Sequence, residues 1–184
     1  MRFPKWQLRH IRKQYSSRCF ANPRTLEASP FHSAPMSFAA PYIESEQVAA
    51  MLREKAAGKD YLVVDVRDDD FEGGNIPGAL NIPSSTLLDR IPNLINDYSK
   101  VPTVVFHCAM SQVRGPKSAR IYKEALLLNG IKTEQQVYVL RGGFDQWQAR
   151  YKTDPKMIEN YRPEFWNAEF DNVGGDAEDI ITNW

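Results

Sequence analysis

Apolar positions along the chain fall into two kinds of run that alternate with each other. Tyr61 to Val66, Ala79 to Ile82, Thr103 to Phe106 and Gln136 to Leu140 are short apolar stretches with strand composition. Between them lie segments with helical spacing. Ser45 to Ala57 carries the stripe Val48, Met51 and Leu52, with Ser45 as N-cap and Gly58 as the stop. Thr86 to Tyr98 repeats through Leu87, Leu88, Ile91, Leu94 and Ile95, and Pro92 predicts a division into two pieces. Lys117 to Leu128 is closed by Asn129-Gly130, and Phe144 to Tyr151, after the turn Arg141-Gly142-Gly143, turns Phe144 and Trp147 inward. Strands that are continuously apolar need cover on both faces. The pattern therefore predicts an α/β domain: a central parallel sheet flanked by helices, with no internal repeat.

Composition adds boundaries. The chain has 184 residues, 42% of them hydrophobic, enough for one domain with a real core, and no stretch reaches the apolar length that spans a bilayer. Lys and Arg (23) balance Asp and Glu (23), so no overall basic signature points to nucleic acid. The ends depart from this balance. Residues 1–35 hold Arg2, Lys5, Arg9, Arg12, Lys13, Arg18 and Arg24 against the single acid Glu27. That is either an amphipathic mitochondrial transit peptide, with Arg18-Cys19-Phe20-Ala21 as a cleavage-like site, or a disordered extension ahead of Met36. Residues 154–184 carry eight acids against Lys156 and Arg162, a tail that wraps the domain, recruits a partner or stays mobile. The expected partition is a leader at 1–40, a catalytic domain at 41–152 and an acidic tail at 153–184. The expected location is cytoplasm and nucleus, or mitochondria if the leader is an address.

Chemistry concentrates in Thr103 to Ser118, TVVFHCAMSQVRGPKS. A buried strand ends in His107-Cys108, Arg114 follows in the same loop, and Gly115-Pro116 opens a helix. A thiolate facing a helix N-terminus is a nucleophile, and loop N–H groups with a guanidinium fork make a cradle for a tetrahedral oxyanion. Pro116 suits a first helical turn, where its missing N–H costs nothing. Two cysteines, Cys19 and Cys108, and three histidines give neither a disulfide framework nor zinc spacing, so no metal is expected.

Four ordered motifs carry a resemblance to the rhodanese domain over about residues 42–150. They are Val64-Asp65-Val66-Arg67, the run Glu72 to Pro83 (EGGNIPGALNIP), the Cys108 loop, and Val137 to Trp147 (VYVLRGGFDQW). The resemblance implies a rhodanese-like three-layer domain. Sulfurtransferases of that fold have four residues between Cys and Arg. Here Ala109, Met110, Ser111, Gln112 and Val113 make five, as in the Cdc-twenty-five-like (M-phase inducer-like) phosphatases and the eukaryotic arsenate reductases of the same fold. HCAMSQVRGP is most similar to the loop of small single-domain members. Where many rhodaneses have Gly-His, this chain has Gly74-Asn75, expected to be a neutral surface change. Val113 stands where the large cell-cycle phosphatases have Glu.

The resemblance implies a phosphomonoesterase in which Cys108 attacks phosphorus, the N–H groups of Ala109 to Arg114 and the Arg114 guanidinium hold the oxygens, and a phosphocysteine is hydrolysed. His107 then orients the Cys108 backbone, and Ser111 donates to the departing thiolate, or either is structural. Asp65 and Arg67 are expected to pair at the strand end. A leaving-group acid, if there is one, comes from Asp68, Asp69, Asp70 or Glu72. The substrate is a phosphoprotein or small phosphomonoester met by a monomer, with no cofactor. The alternative is arsenate reduction with an external thiol such as glutathione. Thiosulfate sulfur transfer or a silent binding module are the remaining readings.

Overall fold

The computed structural model describes residues 37–166. The leader, Cys19 and the tail beyond Trp166 lie outside them. In chain order the elements are β1 (Tyr42–Ile43), α1 (Ser45–Glu54), β2 (Tyr61–Asp65), a 3-10 turn (Asp69–Phe71), β3 (Leu80–Asn81), α2 (Leu87–Tyr98), β4 (Thr103–His107), α3 (Arg114–Leu128), β5 (Gln136–Leu140) and α4 (Gly143–Tyr151). The sheet is parallel throughout, in the order β1-β5-β4-β2-β3.

Two cores explain why the strands read as unbroken apolar runs. On β2, Leu62 and Val64 face one core, which α2 and α3 close with Leu87, Ile91, Leu94, Ala119 and Tyr122. Tyr61 and Val63 face the other, closed by Val48 and Ala49 of α1 and by Phe144 and Trp147 of α4. Alternate residues of β4 divide the same way, Val104 and Phe106 against Val105. The result is the expected three-layer α/β sandwich.

Local boundaries moved for identifiable reasons. α1 is capped by Glu44 rather than Ser45, its N–H donating to Gln47 Oε1 at 3.1 Å, and ends before the predicted stop. Within α1, Val48 and Ala49 are buried while Met51 and Leu52 are half-buried. Pro92 does not divide α2: it lies on the exposed side, and burial of Leu87, Ile91, Leu94 and Ile95 outweighs one missing hydrogen bond. α3 begins at Arg114, three residues earlier than the pattern predicts.

After α4 the chain stays on the domain. Met157 and Ile158 are buried, and Trp147 Nε1 donates to Met157 O at 2.8 Å. Asn75 is not a surface position. It is buried, exchanges backbone hydrogen bonds of 2.9 Å with Glu159, and its amide donates to Glu159 Oε2 and Ile76 O while its Oδ1 accepts from Asn160. Trp166 Nε1 closes this strap by donating to Gly73 O at 2.9 Å. No helix among the described residues is long and apolar enough to cross a membrane.

Candidate active site

The parallel register sets Asp65 beside His107, so the loops leaving β2 and β4 start side by side, and β5 ends on the other flank of β4. Ligands of open α/β sheets collect at such carboxyl ends. Three connections meet here: 66–72, 108–113 and 141–143.

The Cys108 loop is shaped by what holds its carbonyls. Gly142 and Gly143 both have positive φ (71° and 59°) and start α4 directly under the loop. Phe144 N–H then donates to Cys108 O and Asp145 N–H to Ala109 O, each at 3.0 Å. A Cβ on Gly143 would run into both carbonyl oxygens, so only glycine permits this approach. On the far side, Tyr42 Oη donates to Ser111 O at 3.2 Å. With these carbonyls bound from outside, the opposite edges of the peptides turn inward. None of the N–H groups of Ala109 to Val113 donates to another group among the described residues. Ser111 has φ of 53°, the left-handed conformation that bends successive N–H groups into an anion-binding nest.

Within the cradle Cys108 and Ser111 are buried, while Met110, Gln112 and Val113 are exposed and contribute backbone. Ser111 Oγ accepts the Cys108 N–H at 3.4 Å, a contact to the backbone of the cysteine. Gly115 lies so close that a Cβ there would sit 3.3 Å from that hydroxyl.

Beneath the loop lies a buried polar unit. Arg67 donates to Asp65 through Nε (2.9 and 3.1 Å) and Nη2 (2.7 Å), and to Gly74 O at 2.8 Å. Its guanidinium lies 4.1 Å from the Phe144 ring centroid and 5.0 Å from that of Phe71. His107 is fully buried, and burial drives its pKa down, against the pull of Asp65 and with the push of Arg67. Its Nδ1 lies 3.3 Å from Cys108 O; Nε2, 3.6 Å from Asp65 Oδ2, has no hydrogen-bond partner among the described residues. In the tautomer that carries its proton on Nδ1, the neutral imidazole donates to the Cys108 carbonyl.

Arg114 occupies the rim. Nη1 and Nη2 donate to the two oxygens of Asp70 at 2.6 and 2.5 Å, and Nη1 donates to Asp68 Oδ2 at 3.1 Å. Its hydrogen bonds to Asp70 raise the Arg114 pKa, against the opposing effect of burial and with a further contribution from Asp68. Arg114 in turn lowers that of Asp70. Asp68 is brought down to about 2: burial alone would raise it, and bonds from Ser85, Ser84 and Arg114 outweigh that. Neither carboxyl has a proton to give at neutral pH. Asp69 and Glu72, the other acids of this loop, are exposed. The sequence pattern had no signal for Tyr42. Asp68 and Asp70 were legible only as candidate acids.

A family model described as the rhodanese-like domain matches residues 46–150. The chain belongs to that family. Dual specificity phosphatase ibp1 of Schizosaccharomyces pombe is 34% identical over 134 residues, 64% of this chain and 95% of that protein. Arsenate reductase 2.2 of rice (Oryza sativa subsp. japonica) is 33% identical over 109 residues, 58% of this chain and 81% of the rice protein. Among solved structures, a yeast protein tyrosine phosphatase of the rhodanese family is similar at a TM-score of 0.59 and 28% identity, covering 70% of this chain and 97% of that one.

Proposed function

We propose that this rhodanese-family chain is a cysteine-dependent phosphatase of the dual-specificity type that hydrolyses phosphomonoesters on protein or aryl substrates. The observation that carries the reading is the loop between Cys108 and Arg114: neighbouring elements bind its Cys108, Ala109 and Ser111 carbonyls, and its N–H groups from Ala109 to Val113 have no partner among the described residues. Cys108, as thiolate, attacks phosphorus in line. The phosphorus–oxygen bond to the leaving group breaks with its electron pair on that oxygen, giving a phosphocysteine that water hydrolyses to inorganic phosphate and free thiolate. The N–H groups of Ala109 to Arg114 and the Arg114 guanidinium stabilise the equatorial oxygens. His107 holds the Cys108 carbonyl and passes no proton.

Hydrolysis of an aryl phosphate by the wild type and by Cys108→Ser tests this. Turnover that depends on Cys108, with negligible sulfur transfer from thiosulfate to cyanide, is the expected result; turnover indifferent to Cys108, or dominant sulfur transfer, would overturn it. A second reading, arsenate reduction, is favoured by the rice relative's name and by the likeness of arsenate to phosphate. Cys108 is the only free cysteine among the described residues, and in this reading an external thiol of the glutathione or glutaredoxin class takes over the arsenic–sulfur adduct. Arsenite production with glutathione distinguishes it.

A further inference from the structure

Arg114 has five N–H hydrogens, and the acidic loop uses three of them. Both hydrogens of Nη1 are taken, by Asp70 Oδ1 and Asp68 Oδ2, and the outer hydrogen of Nη2 by Asp70 Oδ2. What is left is one contiguous side: Nε–H and the second hydrogen of Nη2, neither of which has a partner among the described residues. That edge is a complete two-pronged donor for a phosphoryl group. The two carboxylates are themselves fixed. Asp68 accepts from Ser84 Oγ (2.7 Å) and Ser85 N–H (3.0 Å), and Asp70 Oδ1 accepts the Asp68 N–H at 3.0 Å. The clamp thus reaches Arg114 from the β2 and β3 side of the sheet, across the cradle from Tyr42 and α4.

We infer that Asp70, backed by Asp68, is a positioning residue: the pair grips the far end of the Arg114 guanidinium so that its Nε–Nη2 edge is presented to the oxyanion held over Cys108. The inference rests on the phosphatase reading for the identity of that oxyanion. It gives the acidic loop a task other than proton donation. A free arginine samples many rotamers, and holding it in the productive one removes an entropy cost at the moment the transition state forms. Such a clamp acts on every substrate alike, because it never touches the leaving group.

Asp70→Asn keeps the size of the side chain and an acceptor for the Asp68 N–H, and removes the charge-assisted fork. It should lower kcat/KM by about three- to tenfold, a fraction of what one transition-state donor contributes, and by the same factor on aryl phosphates with good and poor leaving groups. The concentration of inorganic phosphate that protects Cys108 from iodoacetamide should rise by a similar factor. Asp69→Asn removes the same charge from an exposed side chain without a contact to Arg114, and should change neither. In an Arg114→Lys background, where there is no edge to present, Asp70→Asn should change kcat/KM by less than about twofold, a coupling that a merely structural role would not produce. Tighter phosphate binding in Asp70→Asn would show that Asp70 competes with the oxyanion. A loss confined to poor leaving groups would make it an acid, and additive losses in the double variant a scaffold residue; each overturns the clamp. Because phosphate protection needs no turnover, an absence of Cys108-dependent hydrolysis would sink the phosphatase reading and leave the clamp standing or falling on its own data.

Discussion

The Asp65–Arg67 pair and the group that Arg114 forms with Asp68 and Asp70 draw their carboxylates from the same short stretch, 65–70, and burial separates their roles. In Asp65–Arg67 both side chains are at most 1% exposed, the arginine is packed against Phe144 and Phe71, and its remaining donors go to backbone carbonyls. In the Arg114 group the exposures are 32% for the arginine, 27% for Asp68 and 39% for Asp70, and one edge of the guanidinium is open. The chemistry is the same. A pair sealed from water cannot exchange partners without stranding a charge, so it serves as a bolt between β2, the Gly74 corner and α4. A pair at the rim can, and only there can an arginine meet a substrate.

The largest effects should therefore separate stability from activity. Arg67→Ala leaves Asp65 buried and unpaired, and should cost about 3–5 kcal/mol of unfolding free energy. Urea unfolding measures it, and a loss below about 1 kcal/mol would mean the bolt is dispensable. Arg114→Lys should do the reverse. An ammonium has no two-pronged edge, so kcat/KM should fall on the order of 10²-fold while the unfolding midpoint moves little. Near-normal turnover in that variant would assign Arg114 to structure.

A smaller effect tests the ionised state of the rim. With Asp68 held to about 2 and Asp70 lowered, neither rim carboxyl has a proton to give the leaving oxygen at neutral pH. The rate of phosphoenzyme formation should then fall steeply as the leaving group becomes more basic. Each of Asp68→Asn, Asp69→Asn, Asp70→Asn and Glu72→Gln should change it by less than about tenfold, against the 10²–10⁴-fold typical of a general acid. A flat dependence, with one of these variants failing on poor leaving groups alone, would place a working acid on the loop.

What the sequence made legible follows from the range of the interactions. Strands β2 to β5, the helices and the Cys108-to-Arg114 loop rest on periodicity and spacing, which are local, and the Asp65–Arg67 pairing spans two residues along one strand end; the two-residue β1 carries no such signal. Asn75 was not legible, because its burial depends on Glu159 and Asn160, some eighty-five residues away. Nor was the grip of Tyr42 on Ser111, which needs β1 beside β5, or the clamp on Arg114, which joins loops after different strands. Pro92 predicts a break on propensity alone, and the core that holds α2 overrides it.

The smallest expected effect is the acid sensitivity of the rim. The folded-state pKa of Asp68, about 2, is below its ordinary value of 3.8, so the folded protein binds that proton less readily than the unfolded chain does. Its contribution is fully present above about pH 4 and is lost as pH falls through the window toward 2. Asp70, lowered in the same direction by Arg114, adds to the loss. With the screening that a rim position implies, Asp68 should account for about 1 kcal/mol. Urea midpoints at pH 5, 4 and 3 read it directly: the wild type should lose more stability over that interval than Asp68→Asn does, by about this amount. Parallel curves would show that Asp68 is as solvated in the folded protein as in the unfolded chain, and the contrast between bolt and rim would then reduce to the Arg114–Asp70 fork alone.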